Sequence, residues 1–246
     1  MNMNNTYLGR TDHGPQQEEV RSPEGTAPDA DVWKAARIGL WALPAYGLLL
    51  GLSTLTHQPS VEDFDAYARY VTTDLFLVSH LGASIFGAGL AILGAVALTT
   101  FLARGRASRT AVVGLALTTI TQVFMAAAFG SATFVQPGIG RAHLRGVDSM
   151  PALNADTAYG PTLVLTALTA TFFLIVSALI LGVAIARTSR RLRWYGIGYP
   201  ILTAMFALSG FLLQPIQSAS GFALAAVTAA LAVQLPRLAE RTELWR

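Results

Sequence analysis

Residues 75–106 read LFLVSHLGASIFGAGLAILGAVALTTFLARGR. The first 28 of them contain no Asp, Glu, Lys or Arg, and the run stops at Arg104 and Arg106. A helix rises about 1.5 Å per residue, so about 20 apolar residues cross the roughly 30 Å of hydrocarbon in a bilayer. This stretch is long enough to do so with tilt to spare. It reads as a membrane-spanning helix that ends on a basic turn.

Five further runs have the same character. With the first they give six apolar segments, near 35–56, 75–102, 111–135, 161–186, 194–213 and 216–235. The last two are separated only by Gln214-Pro215, where proline breaks what would otherwise be one overlong helix. The chain is 53% hydrophobic and 13% charged, against about 25% charged in a typical soluble domain. Its 17 basic and 14 acidic residues fall in tails, connections and helix bases. Lipid selects that segregation, because one charge at the bilayer centre costs at least about 2.5 kcal/mol. The expected fold is an all-α membrane protein, a six-transmembrane-helix bundle over 33–236.

Orientation follows from arginine. Lys34 and Arg37 stand at the base of the first run, and Arg104, Arg106 and Arg109 follow the second. Arg187, Arg190, Arg191 and Arg193 follow the fourth, and Arg237, Arg241 and Arg246 follow the sixth. Six crossings put all twelve on one side and leave Arg69, Arg141 and Arg145 on the other. Basic connections stay cytoplasmic, so both termini are expected there, in a cell inner (plasma) membrane. Residues 1–32 lack the apolar stretch of a signal peptide and read as a disordered cytoplasmic tail. Residues 237–246 read as a second cytoplasmic tail. Lys34 is the one lysine, a composition that suggests a GC-rich bacterial genome.

Membrane helices approach each other through small residues. Ala83, Gly87, Ala91 and Ala95 recur every four residues in the second run, and Gly114, Thr118, Gln122, Ala126 and Gly130 do so in the third. Thr162, Thr166, Thr169 and Ser177 share a face of the fourth; Gly196, Pro200, Ala207 and Gly210 mark the fifth. Such faces favour self-association or a membrane partner as well as internal packing. Pro44 and Pro200 are expected to kink their helices. Residues 91–137 and 178–215 resemble each other: an apolar run, an arginine-rich turn, a second run, then Gln-Pro.

The candidate site residues are few. His80 is the one ionisable side chain within an apolar run and shares a face with Ser84, Gly87 and Ala91; an intramembrane ionisable group is a functional candidate by default. Gln122 needs partners for its amide, which the threonines of the fourth run are placed to supply. Residues 61–72 read as a short amphipathic outer helix, capped by Ser60, lying on the bundle or closing over a cavity. Residues 136–160 form the longest connection, where Arg141, His143 and Arg145 alternate along an extended chain and face an anion together. Asn154 and Asp156 are placed to start the fourth helix.

Other chemistry is excluded by composition. The absence of cysteine removes disulfides, thiolate nucleophiles and Cys-ligated metals. His57, His80 and His143 have no metal-type spacing, so no metal is expected. Haem has no second axial histidine at the depth of His80, so no cofactor is expected. The net charge of +3 is accounted for by topology, so the partners expected are membrane lipids and not nucleic acid. No nucleophile-and-base constellation is visible, and no residue is assigned a catalytic role. The leading expectation is a structural, regulatory or partner-binding membrane protein. The alternatives are a transporter or channel for a neutral or amphipathic small molecule, then a membrane enzyme acting on lipid at the outer face.

Overall fold

A computed structural model describes residues 30–103, 105–210 and 213–241. Among these the regular structure is all helix, with no strand. The helices are α1 (Ala30–Gly39), α2 (Ala42–Ser53), α3 (Phe64–Val71), α4 (Asp74–His80), α5 (Gly87–Leu102), α6 (Ser108–Leu144), α7 (Met150–Asp156), α8 (Pro161–Thr188), α9 (Arg193–Ser209) and α10 (Gln214–Glu240). A π-helical turn, Leu81–Phe86, fuses α4 to α5, and a 3₁₀ turn, Arg190–Leu192, leads into α9. Among the described residues, five helical stretches are long and apolar enough to cross a membrane: Asp31–Ser53, Asp74–Leu102, Ser108–Leu144, Pro161–Thr188 and Gln214–Glu240. The chain is built as a multi-pass membrane protein. α9 is shorter, with 17 residues.

Contacts between successive long helices run in opposite register. Gly94 meets Leu43 and Gly87 meets Tyr46; Thr99 bonds the carbonyl of Ala111 while Gly130 meets Ile85. Gly182 lies on Gly196 and Pro200, Gly198 on Val227, and Gly210 on Gln217. Each pair therefore packs antiparallel, α9 included. The last helix closes on α2: Gly47 touches the backbone of Ala225, and Gly221 touches that of Gly51. Gly47 and Gly51 form a G-x-x-x-G pair, the spacing that lets two backbones approach in lipid.

Two apolar clusters occupy opposite ends of the bundle. At the arginine end Leu40, Leu98, Leu102, Leu181, Ile185 and Leu235 are fully buried in one core. Trp33 packs on Phe101 with ring centroids 4.9 Å apart, and Arg37 pairs with Glu240 at 3.0 Å. At the other end Phe64, Tyr67, Val71, Phe76 and Ile139 form a cap. The small residues Ala83, Gly87, Ala91 and Ala95 are all buried, as their spacing implies.

Several expectations need correction. α1 starts at Ala30, inside the segment expected to be a tail, and α10 runs on to Glu240; the rest of both tails, 1–29 and 242–246, lies outside the described residues, as does Arg104. The first apolar run is interrupted at Leu40–Trp41 and not at Pro44 itself. Pro44 has no N–H for the Leu40 carbonyl, so the turn before it opens. α6 does not stop near 135 but passes through Pro137 to Leu144. Pro137 is therefore mid-helix, whereas Pro215 sits in the first turn of α10, and the two Gln-Pro steps are not structurally equivalent. α3 is capped by Asp63, whose carboxylate accepts from the Ala66 N–H, and not by Ser60.

Candidate functional site

A cavity of about 290 Å³ opens among the helices in the half of the bundle away from the arginine end. α2 supplies Tyr46, Leu50 and Ser53, followed by Thr54. The α4–α5 span supplies Ser79, His80, Ala83 and Ser84. α6 supplies Gln122, Met125 and Phe129, and α8 supplies Thr171 and Leu174. Phe206 and Ala207 come from α9, and Gln217 from α10. No Asp, Glu, Lys or Arg lines it. A narrower void of about 20 Å³, the size of one water, shares Tyr46, Leu50, Gln122, Leu174 and Phe206 with it and reaches Thr118, Ser177 and Thr203. The core at the arginine end lies beyond.

The wall is shaped by a local departure from the α-helix. After His80 the helix widens, and the Gly87 N–H bonds the Gly82 carbonyl five residues back. π turns of this kind leave one residue unmatched and recur at functional sites. Here the turn carries Ala83 and Ser84 on the cavity wall.

His80 is half-buried. Its Nδ1 lies 3.0 Å from the Phe76 carbonyl oxygen, and its ring stacks on Phe76 with centroids 4.0 Å apart. A carbonyl only accepts, so Nδ1 carries the proton and donates it. In the neutral ring Nε2 is then a bare acceptor. Gln122 is 2% exposed and its Nε2 donates to the Tyr46 hydroxyl at 3.4 Å. Its partner is thus on α2. The threonines of α8 do not serve it: Thr166 and Thr171 turn their hydroxyls back to the carbonyls of Thr162 and Ala167.

The other sequence candidates lie elsewhere. Arg141 and His143 sit on the last turns of α6, and Arg145 is its C-cap. Residues two apart on a helix point nearly opposite ways, so the three do not share the face that an extended chain would give. His143 Nε2 meets the Asp65 carboxylate at 2.6 Å, and its ring stands edge-on to Phe64. His57 Nδ1 meets Gln214 Oε1 at 2.8 Å. The three histidines are thus separately engaged, and no cluster fit for a metal occurs among the described residues.

α3 belongs to the cap and not to the cavity, since none of its residues lines the wall. Tyr67 is fully buried and donates to Asn154 Oδ1 at 3.2 Å, while Gln58 Nε2 donates to the Tyr159 hydroxyl at 2.7 Å. Burial pushes both tyrosine hydroxyls up from their ordinary value of 10.0. Asn154 thus fastens α7 to α3; the fourth long helix starts from Gly160 and Pro161 without a side-chain cap.

Tyr46, Phe206 and Gln217 were not singled out by sequence. Their signal was present: each sits in or beside an apolar run, and Tyr46 adjoins the Gly47/Gly51 pair. No protein-family model matches the chain, and neither a curated protein nor a solved structure shows significant similarity to it.

Proposed function

We propose that this chain is a six-crossing plasma-membrane protein that takes up a neutral or amphipathic small molecule between its helices, as a transporter or channel does. The observation that carries this reading is the cavity itself: about 290 Å³, walled by every long helix, free of charged side chains, with His80 and Gln122 on its surface. Ligand sites are concave, mostly apolar and furnished with a few polar groups. The apolar core at the arginine end closes the other side, which suits a state open to one face of the membrane. A purely structural or partner-binding role calls for a closed interior at this depth. A lipid-acting enzyme calls for a histidine beside a carboxylate at a pocket. His143 has the carboxylate but does not line the cavity, and His80 lines the cavity but bonds a backbone carbonyl.

Two further observations support six crossings. α9 packs antiparallel along both α8 and α10, and its 17 residues rise about 25 Å, close to the hydrocarbon thickness. The elements bearing Lys34, Arg106, Arg187, Arg191 and Arg237 converge at one end of the bundle, where a single core joins their neighbours. With basic residues inside, that end is cytoplasmic and the cavity opens outward.

The natural absence of cysteine makes the test direct. In intact cells, a Ser84→Cys variant reacts with a membrane-impermeant thiol reagent, and Leu98→Cys, in the sealed core, does not. Arg106→Cys and Arg190→Cys react only after permeabilisation, and Glu62→Cys reacts before it. Equal protection of Ser84→Cys and Leu98→Cys would remove the cavity reading. Labelling of the two arginine positions from opposite sides would remove the topology.

A further inference from the structure

The directions of the hydrogen bonds around the cavity carry more than its size. Three hydroxyls on the wall spend their protons on helix carbonyls. Ser53 donates to Leu50, Ser79 to Phe76, and Thr171 to Ala167, each at 2.9 Å. A hydroxyl that has given its proton away retains lone pairs only. His80 adds a fourth acceptor. Its Nδ1 proton is committed to the Phe76 carbonyl, and Nε2 has no protein partner among the described residues and is not among the buried unpartnered atoms. On the donor side stand Tyr46, Ser84, Gln217 and the second amide N–H of Gln122, and each of these groups also accepts. The wall therefore offers more acceptors than donors.

Charge narrows the choice further. With no ionic side chain on the wall, an ion entering it would lose its hydration without a counter-charge, and such transfers are strongly unfavourable. Leu50, Met125, Leu174 and the rings of Phe129 and Phe206 supply the apolar remainder. We infer that the ligand is a neutral apolar molecule with a hydrogen-donating head, an alcohol or a phenol, whose O–H is received by His80 Nε2 and the spent hydroxyls. This deepens the proposed function and rests on it.

A matched probe set separates the terms: 4-butylphenol, its methyl ether 4-butylanisole, 4-butylbenzylammonium and 4-butylbenzoate. Binding to the full chain in detergent is measured by saturation-transfer NMR competition and by the shift in melting temperature. A site built to receive a hydroxyl discriminates against the analogue without one, because its acceptors stay unpaired. The phenol is expected to bind about tenfold tighter than the ether, and the two ions more weakly than either. His80→Ala is expected to reduce the phenol-to-ether ratio to about threefold or less. Should His80→Ala fail to fold, Thr171→Val removes one acceptor at nearly constant shape and lowers the same ratio by about twofold. Equal binding of phenol and ether, or a preference for either ion, overturns the donor inference and leaves the cavity reading standing. If none of the four binds while Ser84→Cys is also unreactive, both fall. If none binds and Ser84→Cys reacts, the donor inference alone falls.

Discussion

Replacing Gly196 with alanine tests how tightly α8 and α9 are held. A Cβ at this position would sit 2.5 Å from the backbone nitrogen of Ala186, 2.5 Å from the Gly182 carbonyl oxygen, and 2.8 Å from the Ala186 Cβ. Ordinary contact begins near 3.4 Å, so the two helices must part by about 1 Å along their closest approach. Two of the three obstructing atoms are backbone and cannot rotate aside. Overpacking of this kind costs about 1–3 kcal/mol. Alanine also regains about 0.8–1 kcal/mol of helix propensity over glycine. The steric term wins, and a net loss of up to about 2 kcal/mol is expected. Gly89→Ala is the control, because a Cβ there meets nothing within 4 Å; only the propensity gain applies, and stability should hold or rise. The assay is reversible unfolding in mixed micelles by SDS titration, followed by far-UV circular dichroism. Equal shifts for the two variants would refute the claim that this glycine is present for backbone approach.

Three further outcomes follow from the cap and the arginine end. Tyr67→Phe leaves the 2%-exposed Asn154 without its hydroxyl donor and should cost about 1–3 kcal/mol, read in the same titration. Because burial raises Tyr67 and Tyr159 above 10.0, the native state resists their ionisation. Their stabilising contribution is complete below pH 10 and is lost as pH rises toward their folded values, so alkaline melting should be less steep in Tyr67→Phe than in the natural chain. Arg37→Ala breaks a 3.0 Å pair whose side chains are 58% and 61% exposed; with solvent screening, the change in melting midpoint should correspond to less than about 1 kcal/mol.

The reach of sequence reasoning differs from element to element. Helix existence was plain wherever apolar length exceeded the bilayer thickness. Helix ends were less plain where proline was taken as a stop. Pro137 lies on a helix whose C-terminal end is held by tertiary contacts: Gly140 packs on Val71 and Ala68, and His143 pairs with Asp65. Those contacts outweigh the one backbone bond that proline removes. The reading of Arg141, His143 and Arg145 as one face failed for the same reason, since it assumed an extended chain where α6 continues.

His80 and Gln122 were legible as candidates because polar groups in lipid are costly and therefore rare. Their partners were not legible. Gln122 bonds Tyr46, 76 positions away in sequence, and the cavity between them exists only once α2, α6, α8 and α9 are packed.

What the sequence determined alone is the partition between oil and water: apolar stretches of spanning length, basic residues concentrated at four junctions, and small residues spaced for backbone approach. Each depends on local composition and helical period, which one chain displays in order. What only the tertiary structure decided is which faces meet, where they fail to meet, and which protons the wall has already committed. Those depend on distances between residues far apart along the chain, and on a π turn whose extra residue changes the helix phase by about a quarter turn.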